Sequence, residues 1–427
     1  MATNRTESYP RELAMAGPPG AKDRSSTRRA NLSLILNLLH GEGGRSRARI
    51  AADTGLPKAT VTNLIAELVE GGLVREGEAE REGAIGRPGH VVELDGRSLC
   101  GIGAEVNVDY VSVTALNLPG DVVAQRRLAV KVADTPPEEV LGTVAGLVSE
   151  TIEELRKQGV RTIGVTLAAP GVIDPEPGVV SYASNIGWRE VSAVDGLRRG
   201  LGSAAPEIHL ENDAKLGAIA EFVTATTPGV RDLVYLTGTT GVGAGIIASG
   251  KLLRGNAGFA GEVGHLPLGD PEQPCPCGRQ GCWETAVGLA ALLRLAADPG
   301  DEVHDPSTDL DSRLRELRRR ADQGDPRTLA AVERLGEALR SGVALLVDIL
   351  NPRLLVLGGH FAVFGDYLVP AIRDYVHETV IAPNAGGCEL VPSQLGFTAP
   401  ARGGAYLALD AIYQDPIAIM QGLQAAG

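Results

Sequence analysis

Residues 261–284 read GEVGHLPLGDPEQPCPCGRQGCWE and bring one histidine and three cysteines into a short stretch, at His265, Cys275, Cys277 and Cys282. Imidazole nitrogen and thiolate sulfur are the ligands that Zn²⁺ prefers, and four of them complete a tetrahedron without a position for a catalytic water. Proline and glycine alternate with the cysteines and allow a short loop to fold around one ion. The spacing predicts a structural zinc site, whereas the alternative, unrelated buried cysteines, requires three of them to converge by accident.

The number of cysteines and the lengths of the apolar runs indicate the cellular compartment of the protein. The 427 residues contain five cysteines, and this odd total argues against a disulfide framework. The N-terminus has no apolar stretch of the signal-peptide type. The longest apolar runs, such as SGVALLVDIL, fall short of the about 20 residues that cross a bilayer. We therefore expect a cytoplasmic protein with no membrane partner, built from two or three domains.

Charge is distributed unevenly along the chain. The formal net charge is −13, yet residues 1–97 hold 14 Lys and Arg against 13 Asp and Glu. Residues 22–62 alone carry 8 basic and 3 acidic side chains. A basic segment ahead of an acidic body favours one DNA-facing module on a carrier that repels DNA.

The pattern over residues 28–97 predicts a winged helix-turn-helix DNA-binding domain, which follows a disordered tail over residues 1–27. One helix begins at Asn31, a second spans Arg45–Asp53, and a third has Pro57 at its first position and ends at Gly71. A hairpin follows as the wing. Exposed N-terminal residues of the third helix would meet bases, and arginines would contact phosphates or the minor groove. The predicted DNA-binding residues are Arg45, Arg47, Lys58, Thr60, Thr62, Asn63 and Arg87. The alternative is a module used only for packing or dimerisation.

From Cys100 onward the chain alternates strands and helices, which predicts an α/β body of two lobes. Residues 101–117 alternate polar and apolar side chains and predict a strand, and PGD leads into a second strand over 122–132. A helix over Pro137–Gly159 and a buried strand over Thr162–Ala168 follow. Residues 296–330 are highly charged and predict a surface excursion with helical stretches.

Several motifs of the body resemble those of the ROK family of repressors, open reading frames and sugar kinases. They are AAPGVID, ASNIGW, ENDA, TGTTGVGAG and LVLGG, together with GEVGH and CPCGRQGCWE. The resemblance covers residues 31–411 and implies a two-lobed, actin-like (ribonuclease H-like) sugar kinase-type fold. We expect the first lobe over 98–222, completed by a C-terminal helix over about 401–427, and the second over 223–400 with the zinc loop 265–282.

The resemblance also implies a sugar site in the cleft between the lobes. Carried over by motif, the sugar-binding residues are Asn185, Asn212, Asp213, Glu262, His265 and Glu284. Amide and carboxylate groups match the donors and acceptors of a pyranose. In the kinases of the family the residue that corresponds to Asp213 is the general base. His265 would have two roles, with one ring nitrogen on zinc and the other towards the sugar.

Two glycine-rich turns distinguish a kinase from a regulator, because both cradle nucleotide phosphates in the kinases. The second turn is present, with Gly241, Gly243 and Gly245, whereas residues 105–109 read EVNVD where kinases have a D-x-G-x-T turn. We therefore expect no kinase activity and a sugar-responsive regulator, most simply a repressor. It would bind a palindromic operator as a homodimer or homotetramer. The alternatives are an active sugar kinase with an appended DNA-binding domain and a scaffold that responds to a protein partner.

Overall fold

The computed structural model describes residues 24–80, 89–203, 205–227, 229–305 and 308–425. Within these ranges, every helix is too short or too polar to span a bilayer. The described chain forms a small N-terminal module and two lobes, each built on its own five-stranded sheet.

The N-terminal module is a three-helix unit with a small sheet. Its elements are α1 (Arg24–Glu42), β1 (Arg45–Ser46), α2 (Arg47–Thr54), α3 (Lys58–Glu70), β2 (Val74–Glu80) and β3 (Gly89–Leu94). The sheet has the order β1-β3-β2, with antiparallel pairs. Val61, Leu64, Ile65 and Leu68 of α3 are buried, as the helical spacing predicts. This confirms the winged helix-turn-helix.

Three predicted boundaries in this module were wrong. The first helix begins at Arg24 rather than Asn31, so residues 24–27 belong to α1, whereas 1–23 lie outside the described residues. Arg45 and Ser46 pair with the wing instead of opening α2, because the Ser46 side chain accepts the Arg49 N–H and acts as the helix N-cap. Pro57 is the N-cap of α3 and not its first helical residue.

The first lobe starts with a sheet whose central strands are buried on both faces. Its elements are β4 (Leu99–Val106), β5 (Tyr110–Asn117), β6 (Val122–Ala129), α4 (Pro137–Lys157), β7 (Arg161–Ala169), β8 (Val172–Asp174), β9 (Val179–Ala183), β10 (Trp188–Ser192), α5 (Ala193–Leu201) and β11 (Glu207–Asn212). The main sheet has the order β11-β7-β4-β5-β6, and β8, β9 and β10 form a small antiparallel sheet. The prediction of one strand over 101–117 was wrong, since a turn at 107–109 separates two antiparallel strands.

The second lobe and the C-terminal helices complete the body. Their elements are α6 (Asp213–Thr224), β12 (Leu233–Gly238), β13 (Val242–Ala248), β14 (Lys251–Leu252), α7 (Glu284–Val287), α8 (Leu289–Ala296), α9 (Leu310–Asp322), α10 (Pro326–Leu350), β15 (Leu354–Gly359), α11 (His360–Val363), α12 (Gly365–Thr379), β16 (Glu389–Pro392), α13 (Ala399–Gln414) and α14 (Pro416–Ala425). The sheet has the order β14-β13-β12-β15-β16. The charged stretch 296–330 contains α9, which buries Leu314 and Leu317 in the core of this lobe.

Helix α13 connects the two lobes to the N-terminal module. A Cβ atom on Gly103 of β4 would lie 1.7 Å from the Ala401 carbonyl oxygen, and one on Gly403 would lie 1.8 Å from the Leu216 carbonyl oxygen. Backbone therefore meets backbone on both sides of α13. Its far end shares one hydrophobic core with α1, α2 and α3, in which Tyr413 approaches His40 with 3.1 Å between Oη and Nδ1.

Candidate functional site

A cleft of about 620 Å³, including the open space at its mouth, lies between the two main sheets. All six residues predicted for the sugar site line it: Asn185, Asn212, Asp213, Glu262, His265 and Glu284. They come from loops separated by up to a hundred positions, and the fold brings them to one place. The structure thus gathers the predicted residues into a polar, partly enclosed space.

Asn212 and Asp213 lie where β11 ends and α6 begins. Asn212 is the N-cap of α6, because its Oδ1 accepts the Lys215 N–H at 3.1 Å. Its Nδ2 donates to the Gly171 carbonyl oxygen at 3.0 Å. These two bonds fix the amide to the backbone, which leaves Asp213 as the less committed side chain of the pair.

The Asp213 carboxyl is tuned by its surroundings. Burial, together with the negative charges of Glu105 and Glu262, raises its pKa to about 7, although the hydrogen bond from the Ala214 N–H lowers it. Near neutral pH this group exchanges between a proton donor and a pure acceptor. A carboxyl of this kind can accept a sugar hydroxyl, and in an enzyme it could act as a base.

Glu284 connects the cleft to the cysteine cluster. Its Oε1 accepts the Cys275 thiol at 2.8 Å and lies 3.5 Å from His265 Nδ1. Its Oε2 lies 3.1 Å from the position that a Cβ on Gly241 would take. The side chain is buried, so it forms the wall between the cluster and the cleft.

The cysteine cluster has the geometry of a metal site. The ligand atoms of His265, Cys275, Cys277 and Cys282 all lie within 4.8 Å of one another. The Sγ atoms of Cys277 and Cys282 are 3.7 Å apart, and His265 Nδ1 is 3.9 Å from Cys275 Sγ. With Zn–S bonds of about 2.3 Å, the edge of a tetrahedron is about 3.8 Å. These four side chains could hold one Zn²⁺ ion.

The loop that carries the cysteines folds as its glycines require. Gly278 and Gly281 have φ angles of +88° and +71°, which suit glycine, and the Gly278 N–H donates to the Cys275 carbonyl oxygen. Trp283 follows the last cysteine, is fully buried, and donates from Nε1 to the Ala338 carbonyl oxygen on α10. The loop is therefore anchored in the core of the second lobe.

The turn after β4, which the resemblance aligns with a phosphate-binding turn of the kinases, borders the cleft at Asn107 and Val108 and is held by hydrogen bonds among its own and neighbouring side chains. Glu105 is buried and accepts hydrogen bonds from Tyr110 Oη at 2.8 Å and Ser112 Oγ at 3.1 Å. Asn107 Nδ2 lies 3.3 Å from the same carboxylate, and its Oδ1 accepts the Val108 N–H. Burial raises the pKa of Glu105, although the hydrogen bond from Tyr110 and the charge of Arg127 oppose this.

Two ion pairs reach α9 across the lobes, one from Arg127 on β6 and one from Asp109 in this turn. The Arg127 guanidinium stacks 3.6 Å above the Tyr110 ring and pairs with Asp311. Asp109 lies 3.9 Å from the buried guanidinium of Arg313. We call Arg127, Tyr110, Asp311, Asp109 and Arg313 the interlobe clasp.

Sequence reasoning missed part of the cleft wall. Thr237, Thr239 and Gly241 of the second glycine-rich turn line the same cleft as the predicted sugar residues. A Cβ on Gly241 would come 2.4 Å from Asn185 Nδ2, so a larger residue here would displace that amide from its present position. The glycine pattern could have indicated this closeness, but it was interpreted through phosphate binding alone.

The described residues among those predicted to contact DNA form two groups, one on the face of α3 and one of arginines held in ion pairs. Lys58, Thr62 and Asn63 are exposed on α3, and Thr60 is half-buried. Arg45 pairs with Glu42 and Asp53, and Arg47 pairs with Glu76. Arg87 lies in 81–88, outside the described residues. To reach phosphates, Arg45 and Arg47 would have to exchange their carboxylate partners.

Comparison with known proteins identifies the family of this chain. The ROK family model matches residues 101–411, and the model of the IclR helix-turn-helix domain matches residues 30–78. The chain belongs to the ROK family. It is 29% identical over 357 residues to the xylose repressor of Caldicellulosiruptor bescii, which covers 82% of this chain and 87% of that repressor.

Two solved ROK structures are similar over different parts of the chain. A ROK transcriptional regulator described as a homologue of the Escherichia coli MLC protein covers 93% of this chain and 100% of its own, with a TM-score of 0.73 and 22% identity. The ROK glucokinase of Streptomyces griseus, solved with glucose and AMPPNP, covers 73% of this chain and 99% of its own, with a TM-score of 0.63 and 26% identity. The regulator likeness thus includes the N-terminal module.

Proposed function

We propose that this ROK protein is a DNA-binding transcriptional repressor of carbohydrate genes that acts in the cytoplasm. A sugar or sugar phosphate binds in the interlobe cleft and lowers its affinity for operator DNA. The observation that carries the proposal is that all six predicted sugar residues line one cleft, in a chain that begins with a winged helix-turn-helix. The similarity to the xylose repressor supports the same function.

The proposed ligand contacts follow the hydrogen-bond acceptors and donors that line the cleft. Asp213, Glu262 and the Nε2 edge of His265 bind sugar hydroxyls, and Asn185 and Glu284 complete the set. Asn212 acts mainly through the backbone, since it caps α6. His265 Nδ1 with Cys275, Cys277 and Cys282 holds a structural Zn²⁺ ion, and Glu284 couples that site to the cleft.

The proposed DNA contacts rest on the exposed face of α3, and their coupling to the cleft rests on the hydrophobic core that α13 shares with the N-terminal module. Lys58, Thr60, Thr62 and Asn63 contact bases in the major groove, and Arg45, Arg47 and Arg87 contact the backbone or minor groove. A homodimer places two such helices on a palindrome. Because α13 packs on α6 and shares a core with α1, a change of lobe angle on sugar binding moves the DNA module.

The second candidate function is sugar phosphorylation, which the intact glycines 241, 243 and 245 and the similarity to a glucokinase favour. The filled turn at Glu105 opposes it, because a buried carboxylate repels phosphate and has taken the donors nearby. A coupled assay with ATP, Mg²⁺ and D-xylose, D-glucose or N-acetyl-D-glucosamine decides between the two. We expect no sugar-dependent turnover, and turnover of about 1–100 per second would establish the kinase.

A further inference from the structure

Lys215, the third residue of α6, carries a buried ammonium group behind the cleft. It is 2% exposed, and its Nζ donates to the Gly258 carbonyl oxygen at 2.6 Å. Lys215 does not line the cleft itself. Burying a cation costs free energy unless hydrogen bonds and opposite charges compensate it. Here the Gly258 carbonyl oxygen and nearby carboxylates supply that compensation.

The carboxylates around Lys215 belong to the same region. Glu211, Asp213 and Glu262 all interact with its charge, and Glu211 is already paired with Arg254 at 2.7 Å. Burial lowers the pKa of Lys215, while the charges of Glu211 and Glu262 oppose this. The ammonium thus compensates two of the carboxylates that line the cleft, Asp213 and Glu262, from behind.

Residues 253–262 form a loop that ends at Glu262; the Leu253 N–H donates to the Ile246 carbonyl oxygen at 2.8 Å where it leaves β14, and three further contacts hold the rest of it. Arg254 binds Glu211 near its start, Gly258 binds Lys215 in its middle, and the Gly261 carbonyl oxygen accepts the Ala244 N–H at 2.9 Å at its end. Gly258 has a φ of +78°, and a Cβ there would lie 2.8 Å from the Ile173 carbonyl oxygen. The middle of the loop therefore lies closely against β8, where a small shift would be passed on to Glu262.

We propose that Lys215 is a positioning residue for sugar binding: by holding the Gly258 carbonyl oxygen, it fixes residues 253–262 and places the Glu262 carboxylate at the cleft. This role rests on the proposed sugar site. It makes sugar affinity depend on a side chain that does not touch the sugar.

The first test compares sugar affinity in three full-length variants by calorimetry with D-xylose, D-glucose and N-acetyl-D-glucosamine. Lys215→Met removes the ammonium at similar length, and we expect affinity to fall about tenfold or more. Lys215→Arg keeps the charge and a donor for the Gly258 carbonyl oxygen, although its guanidinium is larger, and should lose clearly less affinity than Lys215→Met. The matched control is Lys251→Met, on exposed β14, which should bind as wild type does. Wild-type affinity in Lys215→Met, or the same loss in Lys215→Arg, would overturn the proposal.

The second test measures amide hydrogen exchange without sugar, so it does not depend on the proposed function. In Lys215→Met we expect faster exchange in peptides from 253–262 and unchanged exchange in 99–117 and 354–359. Unchanged exchange in the loop, or faster exchange throughout the protein, would overturn the positioning role, since the second result would mean a general loss of stability. If the wild type binds none of the three sugars while the loop alone loosens in Lys215→Met, the proposed function fails and the anchoring of the loop stands.

Discussion

Two regions of the interlobe cleft differ in whether their polar side chains face the cleft or form hydrogen bonds with one another. Around Asp213 and Glu262 the polar groups line a cleft of about 620 Å³. At the turn after β4, Glu105 takes the hydroxyl donors of Tyr110 and Ser112, and Arg127 bridges to Asp311. We call the part around Asp213 and Glu262 the open region, because these two carboxyls face the cleft, and the turn after β4 the closed region, because its polar groups bond to one another. The six residues predicted for the sugar site thus line the cleft, whereas the polar groups of Glu105, Tyr110 and Ser112 bond to one another.

The largest expected effect tests the open region. Glu262→Ala should weaken sugar binding at least about a hundredfold, because it removes a charged acceptor in a partly enclosed site and leaves sugar hydroxyls unpaired. Operator binding without sugar should not change. The measurement is calorimetry together with DNA binding, and Glu272→Ala, an exposed carboxylate on the neighbouring loop, is the control. A sugar response in Glu262→Ala equal to that of wild type would remove this residue from the site.

The second effect tests whether the cysteine cluster supports the open region. Cys277→Ser should reduce bound zinc from about one ion per chain to almost none, because a hydroxyl is a poor replacement for a thiolate ligand. Sugar affinity should fall with it, since His265 belongs to both proposed sites and Glu284, which lines the cleft, lies against Cys275. Elemental analysis of the purified variant gives the metal content. Cys388→Ser, away from the cluster, should keep wild-type zinc, and equal metal in both variants would exclude the assignment.

A pH titration sharpens the role of Asp213. Its pKa of about 7 means that it is largely protonated at pH 6 and ionised at pH 8. If the sugar binds the carboxylate form, affinity should rise about tenfold from pH 6 to pH 8 and level off above that. The same profile in Asp213→Asn should be flat. A pH dependence that survives this substitution would assign it to another group.

The smallest effect concerns the closed region. The Arg127 and Asp311 side chains are 29% and 42% exposed, so their pair should contribute only about 0.2–1 kcal/mol to the free energy of unfolding. Arg127→Ala, Asp311→Ala and the double variant form a cycle that chemical denaturation can measure. Fully additive losses would mean that the two charges do not interact across the lobes.

The sequence predicted the open region well and the closed region poorly, for a physical reason. Each residue predicted for the sugar site lies in a short motif that the resemblance to the ROK family could match within the sequence alone. The clasp pairs residues 184 positions apart, and the Lys215 bond joins residues 43 positions apart, so no local pattern reveals either. The prediction of a single strand over 101–117 was wrong for a related reason. Both strands there are buried on both faces, and the turn between them, which includes Asn107 and Asp109, contains no glycine to mark it.

The most direct test of the central claim is fluorescence anisotropy of the full-length protein on DNA from upstream of its own gene. The titration is done at two salt concentrations and then repeated with D-xylose, D-glucose, N-acetyl-D-glucosamine and their phosphates. We predict specific binding that one of these ligands weakens, without ATP. Specific binding that none of them alters, or binding to this DNA no tighter than to unrelated DNA, would contradict the account.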